Sequence, residues 1–224
     1  LIPFDLELSR LSAEEFINSI LINQLQARSI SVGENFRFGY KRRGDINTIK
    51  NSIKNKNIKL NIVPLLEDQE GRISSSRVRN LLLQSDLVKA KDLLKRPYSF
   101  SGKVVKGKGI GKKIGFPTAN LQIDGRKFLP GEGVYAAWTK EINSGIKFPS
   151  VMNLGPQPTI NPLSPSAVEV HIIDKNINLY DLELFVEPIQ MIRTQIKFSN
   201  MEELSNQISK DKELAKTILQ EINN

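Results

Sequence analysis

Two stretches hold residues whose types and spacing could do chemistry. The first runs from Gly102 to Asn120 and places five glycines and five lysines within 102–115, with no acid between Tyr98 and Asp124. Glycines let backbone N–H groups approach phosphate oxygens, and lysines supply the countercharge. Within it, Gly107, Gly109, Gly111, Lys112 and Gly115 lead into Phe116-Pro117-Thr118-Ala119-Asn120-Leu121, read as a rigid turn presenting a hydroxyl and an amide two residues apart. That pair, Thr118 and Asn120, suits Mg²⁺ and phosphate oxygens. The second stretch, Val168-Glu169-Val170-His171, sets one carboxylate in an apolar strand. At a barrel mouth Glu169 is a candidate general base, and facing solvent it is an ordinary strand residue.

Each feature also has a plain structural reading. Gly102 to Lys108 has the spacing of a P-loop, but Gly109 stands where the metal-binding Ser or Thr belongs, and Pro117 argues against the helix that must follow. A basic β-hairpin turn without a ligand fits the local pattern as well. Ser76, Arg77 and Arg79 open a helix, where they could hold nucleotide phosphates or simply be solvated. His171 is expected on the face opposite Glu169, in a structural role. Tyr135 and Trp138 should fill the barrel or its rim, Phe198 should pack the last helix, and 41–43 reads as a basic loop.

The elements that must position these residues change character near Pro97. Before it, helical and extended segments alternate: a helix over 13–27 opened by a Ser12–Glu15 capping box, a strand over 29–33, a helix over 45–57, a strand over 60–64, a serine-capped helix starting within 74–77, and another over 86–95. This alternation predicts an α/β layer with parallel strands. After Pro97 the period becomes two, with strands over 99–106, 134–142, 147–153, 167–174 and 182–193, which predicts a small antiparallel barrel. A capping box from Ser199 to Glu202 opens a C-terminal helix to about 220, with Leu204, Ile208 and Leu214 on one face. The domains are therefore set at 1–96 and 97–224.

The 224 residues are 39% hydrophobic, enough to bury a core, and no run approaches the ~18 apolar residues that span a bilayer. The opening LIPFDLELSR carries acids where a secretory signal needs basic and then apolar residues. No membrane association and a cytoplasmic location are expected. The absence of cysteine excludes disulfides, thiolate nucleophiles and Cys-ligated zinc, and a single histidine excludes His-pair zinc sites and two-histidine nucleotidyl-transfer signatures. A net charge of +8 favours polyanionic partners, nucleic acid or nucleotide phosphates. Against single-stranded nucleic acid, the barrel strands offer only Tyr135, Trp138 and Phe148 near one another for base stacking. The first residue is Leu, so a fragment or a processed product is expected.

The run 99–121 with its GFPTANL heptapeptide resembles the riboflavin kinase module, as do Leu129-Pro130-Gly131-Glu132-Gly133-Val134-Tyr135-Ala136, Asn153-Leu154-Gly155-Pro156-Gln157-Pro158-Thr159, Glu169-Val170-His171, Asn178-Leu179-Tyr180 and Lys197-Phe198. Upstream, 32–39, Arg43-Gly44-Asp45 and 73–79 resemble the later half of the adenylyltransferase domain in bacterial bifunctional riboflavin kinase/FAD synthetases. Ser76 replaces a usual Thr, Asp181 a usual Gly, and Gln195 a common Glu. The resemblance implies a partial α/β nucleotidyltransferase domain followed by a Greek-key β-barrel that converts riboflavin and ATP to FMN and ADP. It implies Glu169 as proton acceptor, Thr118 and Asn120 as Mg²⁺ ligands, and the 102–115 loop closing over ATP. Asn153 would shape the flavin mouth, and Ser76 and Arg77 would belong to the nucleotide site of the first domain. The family's two-histidine signature has no counterpart here, so FMN without FAD is the expected product.

Overall fold

The computed structural model describes residues 2–107, 109–155 and 168–221. Its contacts divide the chain into Leu1–Ile73 and Ser74–Asn224. Pro156, Gln157, Pro158 and Thr159 lie outside the described residues.

In the first unit, α1 (Leu6–Arg10) precedes α2 (Ala13–Glu15), where Ser12 and Glu15 bond reciprocally in the predicted capping box. The helix expected over 13–27 changes to π-helical geometry over Phe16–Gln24, and Leu25 N–H bonds Ile20, five residues back. Strands β1 (Ser29–Gly33) and β2 (Lys59–Val63) pair in parallel, Ile30 against Leu60. Between them lies α3 (Ile46–Ile53), capped by the Asp45 carboxylate on Thr48 N–H. It stops short of the predicted 57 because the next turn, Lys54-Asn55-Lys56-Asn57, offers two asparagines and no apolar side chain to bury. A short hairpin, β3 (Glu67–Asp68) and β4 (Gly71–Arg72), completes the unit. Its core gathers Ile17, Ile30, Phe38, Ile49 and Ile53.

The second unit begins with α4 (Ser75–Leu83) and α5 (Leu87–Leu94). Ser74 caps α4 by accepting from Arg77 N–H, and Asp86 caps α5 by accepting from Lys89 N–H. The pattern change at Pro97 is not where packing divides. Leu82, Leu87 and Ala90 join the core of the following barrel, so these helices find cover for their apolar faces there.

That barrel contains β5 (Phe100–Val105), the short α6 (Ile110–Lys113), β6 (Ala119–Gln122), β7 (Gly133–Glu141), β8 (Lys147–Leu154), β9 (Val168–Ile172) and β10 (Glu183–Arg193), and α7 (Met201–Glu221) follows. The six strands close in the order β10-β5-β6-β9-β8-β7. Strands β7, β8 and β9 meander, and β6 lies beside β9, the Greek-key return. Strand β6 is an addition to the expectation of a turn over 115–121. With four residues it is too short for alternation to stand out, yet it pairs with both β5 and β9 and so closes the barrel.

Alternation sorts the faces. Ala119, Leu121, Tyr135, Ala137, Met152, Leu154, Val168 and Val170 fill the interior with Phe100 and Leu184. Val134, Ala136 and Val151 point outward against Ala215, Ile218 and Leu219 of α7. Trp138 follows this outer set, with Lys147 Nζ 5.0 Å above its ring, so of the two aromatics considered only Tyr135 lies inside. Helix α7 is capped by Asn200, whose Oδ1 accepts from Glu203 N–H, while Glu203 reaches back to Ser199 N–H. The box is thus one residue later than expected. Leu214 is 46% exposed, because the buried stripe runs through Asp211, Ala215 and Ile218 at helical spacing and Leu214 falls beside it.

Candidate active site

Strand register assembles one row of side chains on the outer face of the barrel. Asn120 of β6 pairs with Glu169 of β9, Glu169 with Asn153 of β8, Asn153 with Val134 of β7, and Val134 with Arg193 of β10. Facing residues on adjacent antiparallel strands lie within ~5.5 Å, so the row collects groups from five strands into one line. Thr118, just before β6, donates from Oγ1 to Glu169 Oε2 at 3.3 Å. Glu169 therefore neither lines a barrel mouth nor points into bulk solvent. It sits half-buried on the wall of a cavity.

His171 corrects an expectation. Two residues from Glu169 on a strand, it shares that residue's face and lines the same cavity. Its Nδ1 lies 2.8 Å from the Pro117 carbonyl, and its ring meets Phe116 edge-on at 5.6 Å.

Two cavities meet at Thr118. The first, about 340 Å³, is walled by Ile114, Phe116, Ile196, Phe198, Leu204 and Ile208, with Asn153, Glu169 and Arg193 among its polar groups. The second, about 660 Å³, carries Lys106, Lys112 and Lys175 with Gly107, Asn178 and Tyr180. The glycine-lysine segment is the loop of the β5–β6 hairpin, and it wraps the Thr118–Asn120 pair closely. A Cβ on Gly107 would fall 2.1 Å from Asn120 Nδ2, and one on Gly111 would fall 2.3 Å from the Phe116 carbonyl oxygen. Neither position admits a side chain unless the backbone or Asn120 moves. Gly109 caps α6, and Gly115 ends the turn after it. Ser76 and Arg77 stand in the first turn of α4, where Ser76 accepts from Arg79, and neither lines either cavity.

Three residues beyond the sequence candidates complete the apolar cavity. Arg193 grips Asp211 of α7 through Nε at 3.0 Å to both carboxylate oxygens and Nη2 at 2.8 Å, and Gln207 donates to the same carboxylate at 2.8 Å. Asp211 is 2% exposed. Gln195 donates from Nε2 to Asn153 Oδ1 at 2.9 Å and to the Leu154 carbonyl at 2.8 Å. The signal for Asp211 was available: an acid three residues after Ile208 and four before Ala215, on the apolar stripe of a helix. Further along α7, Lys216 and Lys212 both bond Asp174, and the Lys216 ammonium holds that carboxyl below the usual carboxylate range.

A sequence model described as riboflavin kinase matches residues 94–219, more than half of the chain. The chain belongs to the riboflavin kinase family. A second model, FAD synthetase, matches residues 1–77. The bifunctional riboflavin kinase/FMN adenylyltransferase of Buchnera aphidicola subsp. Schizaphis graminum is 39% identical over 218 residues, 96% of this chain and 69% of that protein. The protein of the same name from Haemophilus influenzae is 37% identical over 219 residues, 95% of this chain and 68% of its own length. Among solved structures, one described as a macrolide-efflux protein from Streptococcus pneumoniae is similar with a TM-score of 0.81 and 30% identity, covering 95% of this chain and 67% of that one. The riboflavin kinase family model spans both cavities and the Thr118–Glu169 pair between them. No helix among the described residues is long and apolar enough to cross a membrane.

Proposed function

We propose that this chain transfers the γ-phosphoryl group of ATP to the 5′-hydroxyl of riboflavin, releasing FMN and ADP, with residues 97–224 supplying the kinase groups. The observation that carries the reading is the Thr118–Glu169 bond at the meeting point of an apolar and a basic cavity. A fused aromatic ring fits between Phe116, Phe198 and Ile208, and a polyphosphate fits among Lys106, Lys112 and Lys175. The reacting oxygen and phosphorus then meet at Thr118 and Glu169. Phosphoryl transfer needs positioning and charge stabilisation more than covalent chemistry, which a short set of residues provides.

Glu169 accepts one hydrogen bond from Thr118 at Oε2, which leaves Oε1 open to the hydroxyl of riboflavin. As the O5′–P bond forms and the bond from γ-phosphorus to the bridging oxygen breaks, the hydroxyl proton passes to Glu169 and ADP departs. Because Thr118 donates its hydrogen, the lone pairs of Oγ1 remain free for a cation. Thr118 Oγ1 and the Asn120 side-chain oxygen are hard donors of the kind Mg²⁺ takes, and the close approach of Gly107 holds the Asn120 amide in place. Among the described residues no group of three or more acidic, His or Cys side chains could hold a metal, so the ion would be shared with substrate phosphates. Bound there, Mg²⁺ would neutralise phosphate charge. The glycine-lysine loop covers ATP and excludes water, and Asn153, held by Gln195, shapes the flavin side.

Adenylylation of FMN is not assigned to these 224 residues, since their one histidine stands in a barrel strand and a two-histidine signature has no counterpart. Incubation with riboflavin, ATP and Mg²⁺ should give FMN, and FMN with ATP should give no FAD. Thr118→Ala should lose turnover and Mg²⁺ response while circular dichroism is unchanged. An active Thr118→Ala enzyme with the parental Mg²⁺ dependence would return the turn to a structural role, and sustained FAD formation would overturn the restriction to one reaction.

A further inference from the structure

His171 is 8% exposed and is used by none of the steps above. Its Nδ1 faces the Pro117 carbonyl oxygen at 2.8 Å. A carbonyl oxygen only accepts, so the hydrogen of this bond sits on Nδ1, the less common tautomer of a free imidazole. Pro117 immediately precedes Thr118. On the other side, Phe116 N–H is anchored to the Gly111 carbonyl at 2.8 Å, and the Phe116 ring rests edge-on against the imidazole. The orientation of the Pro117 carbonyl and the point at which Thr118 leaves the turn are two ends of one peptide plane. Fixing the carbonyl therefore fixes where the Thr118 side chain begins.

We propose that His171 is a positioning residue: its Nδ1–H holds the Pro117 carbonyl and so keeps Thr118 Oγ1 against Glu169. This rests on the role given to Thr118 above. The arrangement has a geometric basis in the strand. Residues 169 and 171 share a face, so β9 presents the carboxylate and, one pleat further, the group that sets its partner's turn. Displacing a reacting group by ~1 Å can cost ~10²-fold in rate, so a hydrogen bond one residue away is enough to matter.

The test uses the chain's single histidine, which gives one pair of imidazole nitrogens in a ¹⁵N-labelled sample. At neutral pH the Nδ1–H tautomer should be observed, and the Nε2–H tautomer would overturn the proposal whatever the variants do. His171→Asn places an amide N–H near the position of Nδ1 and should keep near-parental kcat. His171→Phe keeps the ring contact with Phe116 but has no donor, and should lose ~10–10²-fold in kcat and in Mg²⁺-dependent ADP affinity measured by calorimetry. Circular dichroism should hold steady. Parental kcat and ADP affinity in His171→Phe, or equal impairment of the Asn and Phe variants, would overturn the proposal. If Thr118→Ala is itself active, the reading of Thr118 fails first, and the tautomer measurement still decides whether the bond to Pro117 exists.

Discussion

The cavities on either side of Thr118 and Glu169 are built by different means. The apolar one rests on strand residues in fixed register, is walled by α7 and is closed by residues 111–118 and 195–198, and its polar groups are tied: Arg193 to Asp211, Gln195 to Asn153, His171 to the Pro117 carbonyl. The basic one is walled largely by loops, and its lysines, Lys106, Lys112 and Lys175, are exposed. A flat ring is recognised by shape, which a β ladder holds well. A polyphosphate is recognised by charge, which long lysine side chains deliver without a fixed geometry. The lesson is that one site can place its rigid and its adaptable halves on different elements, with the reacting groups at the seam.

The comparison is tested hardest at the seam. Glu169→Gln keeps shape and one acceptor but cannot take a proton, so kcat should fall by ~10²–10⁴-fold while riboflavin and ADP affinities persist. Turnover rates, with Trp138 emission followed against riboflavin and calorimetry against ADP, would show this. Near-normal turnover would remove the base assignment, and loss of both affinities would mean that Glu169 holds the barrel together.

The next effect belongs to the rigid half. Asp211→Ala leaves the guanidinium of Arg193, itself only 16% exposed, without its partner. Breaking such a pair costs about 3 kcal/mol, taken at the lower end because Arg193 keeps some contact with water. A denaturant titration should report that loss, and riboflavin KM should rise while ATP KM does not. An equal rise in both would erase the distinction between the halves.

The smallest effects should separate the cavities most cleanly. Phe198→Ala, which also strips the ring 5.8 Å from the Arg193 guanidinium, should raise riboflavin KM several-fold at any salt concentration. Lys112→Ala combined with Lys175→Ala should raise ATP KM several-fold, and the parental enzyme should approach that value as salt is added, since exposed charges are screened within a Debye length of ~10 Å at 0.1 M. Steady-state kinetics at two ionic strengths would decide both. A salt-sensitive Phe198→Ala or a salt-insensitive lysine pair would break the comparison.

Much of this was legible in the sequence. Strands β5, β7, β8, β9 and β10 announce themselves by alternation, and the Ser12–Glu15 box marks a helix start that the structure keeps. The GFPTANL segment and Glu169 stand out by composition, and the structure brings them into contact. What was not legible depends on short elements or on pairings distant in sequence. Strand β6 has four residues, within the noise of a loop pattern, although it closes the barrel. The 3.4 Å rise and two-residue period of a strand put His171 beside Glu169, so the expectation of opposite faces fails by the strand's own geometry. Helices α4 and α5 look like the end of the first unit because Pro97 follows them, yet packing is decided by which apolar surface is available, and Leu82 and Leu87 find it in the barrel. The Arg193–Asp211 pair spans 18 residues and two element types, and no local pattern reports such a partnership.

The outward direction of the working row has one more consequence. Along β9 the odd positions, Glu169 and His171, meet the apolar cavity, while the even ones, Val168, Val170 and Ile172, belong to the core of the barrel, and Val170 and Ile172 border the basic cavity as well. Two different demands are therefore written into alternate letters of the same short word. A change at an odd letter meets the reacting groups first, whereas a change at Val170 or Ile172 alters the core and the wall of the basic cavity together.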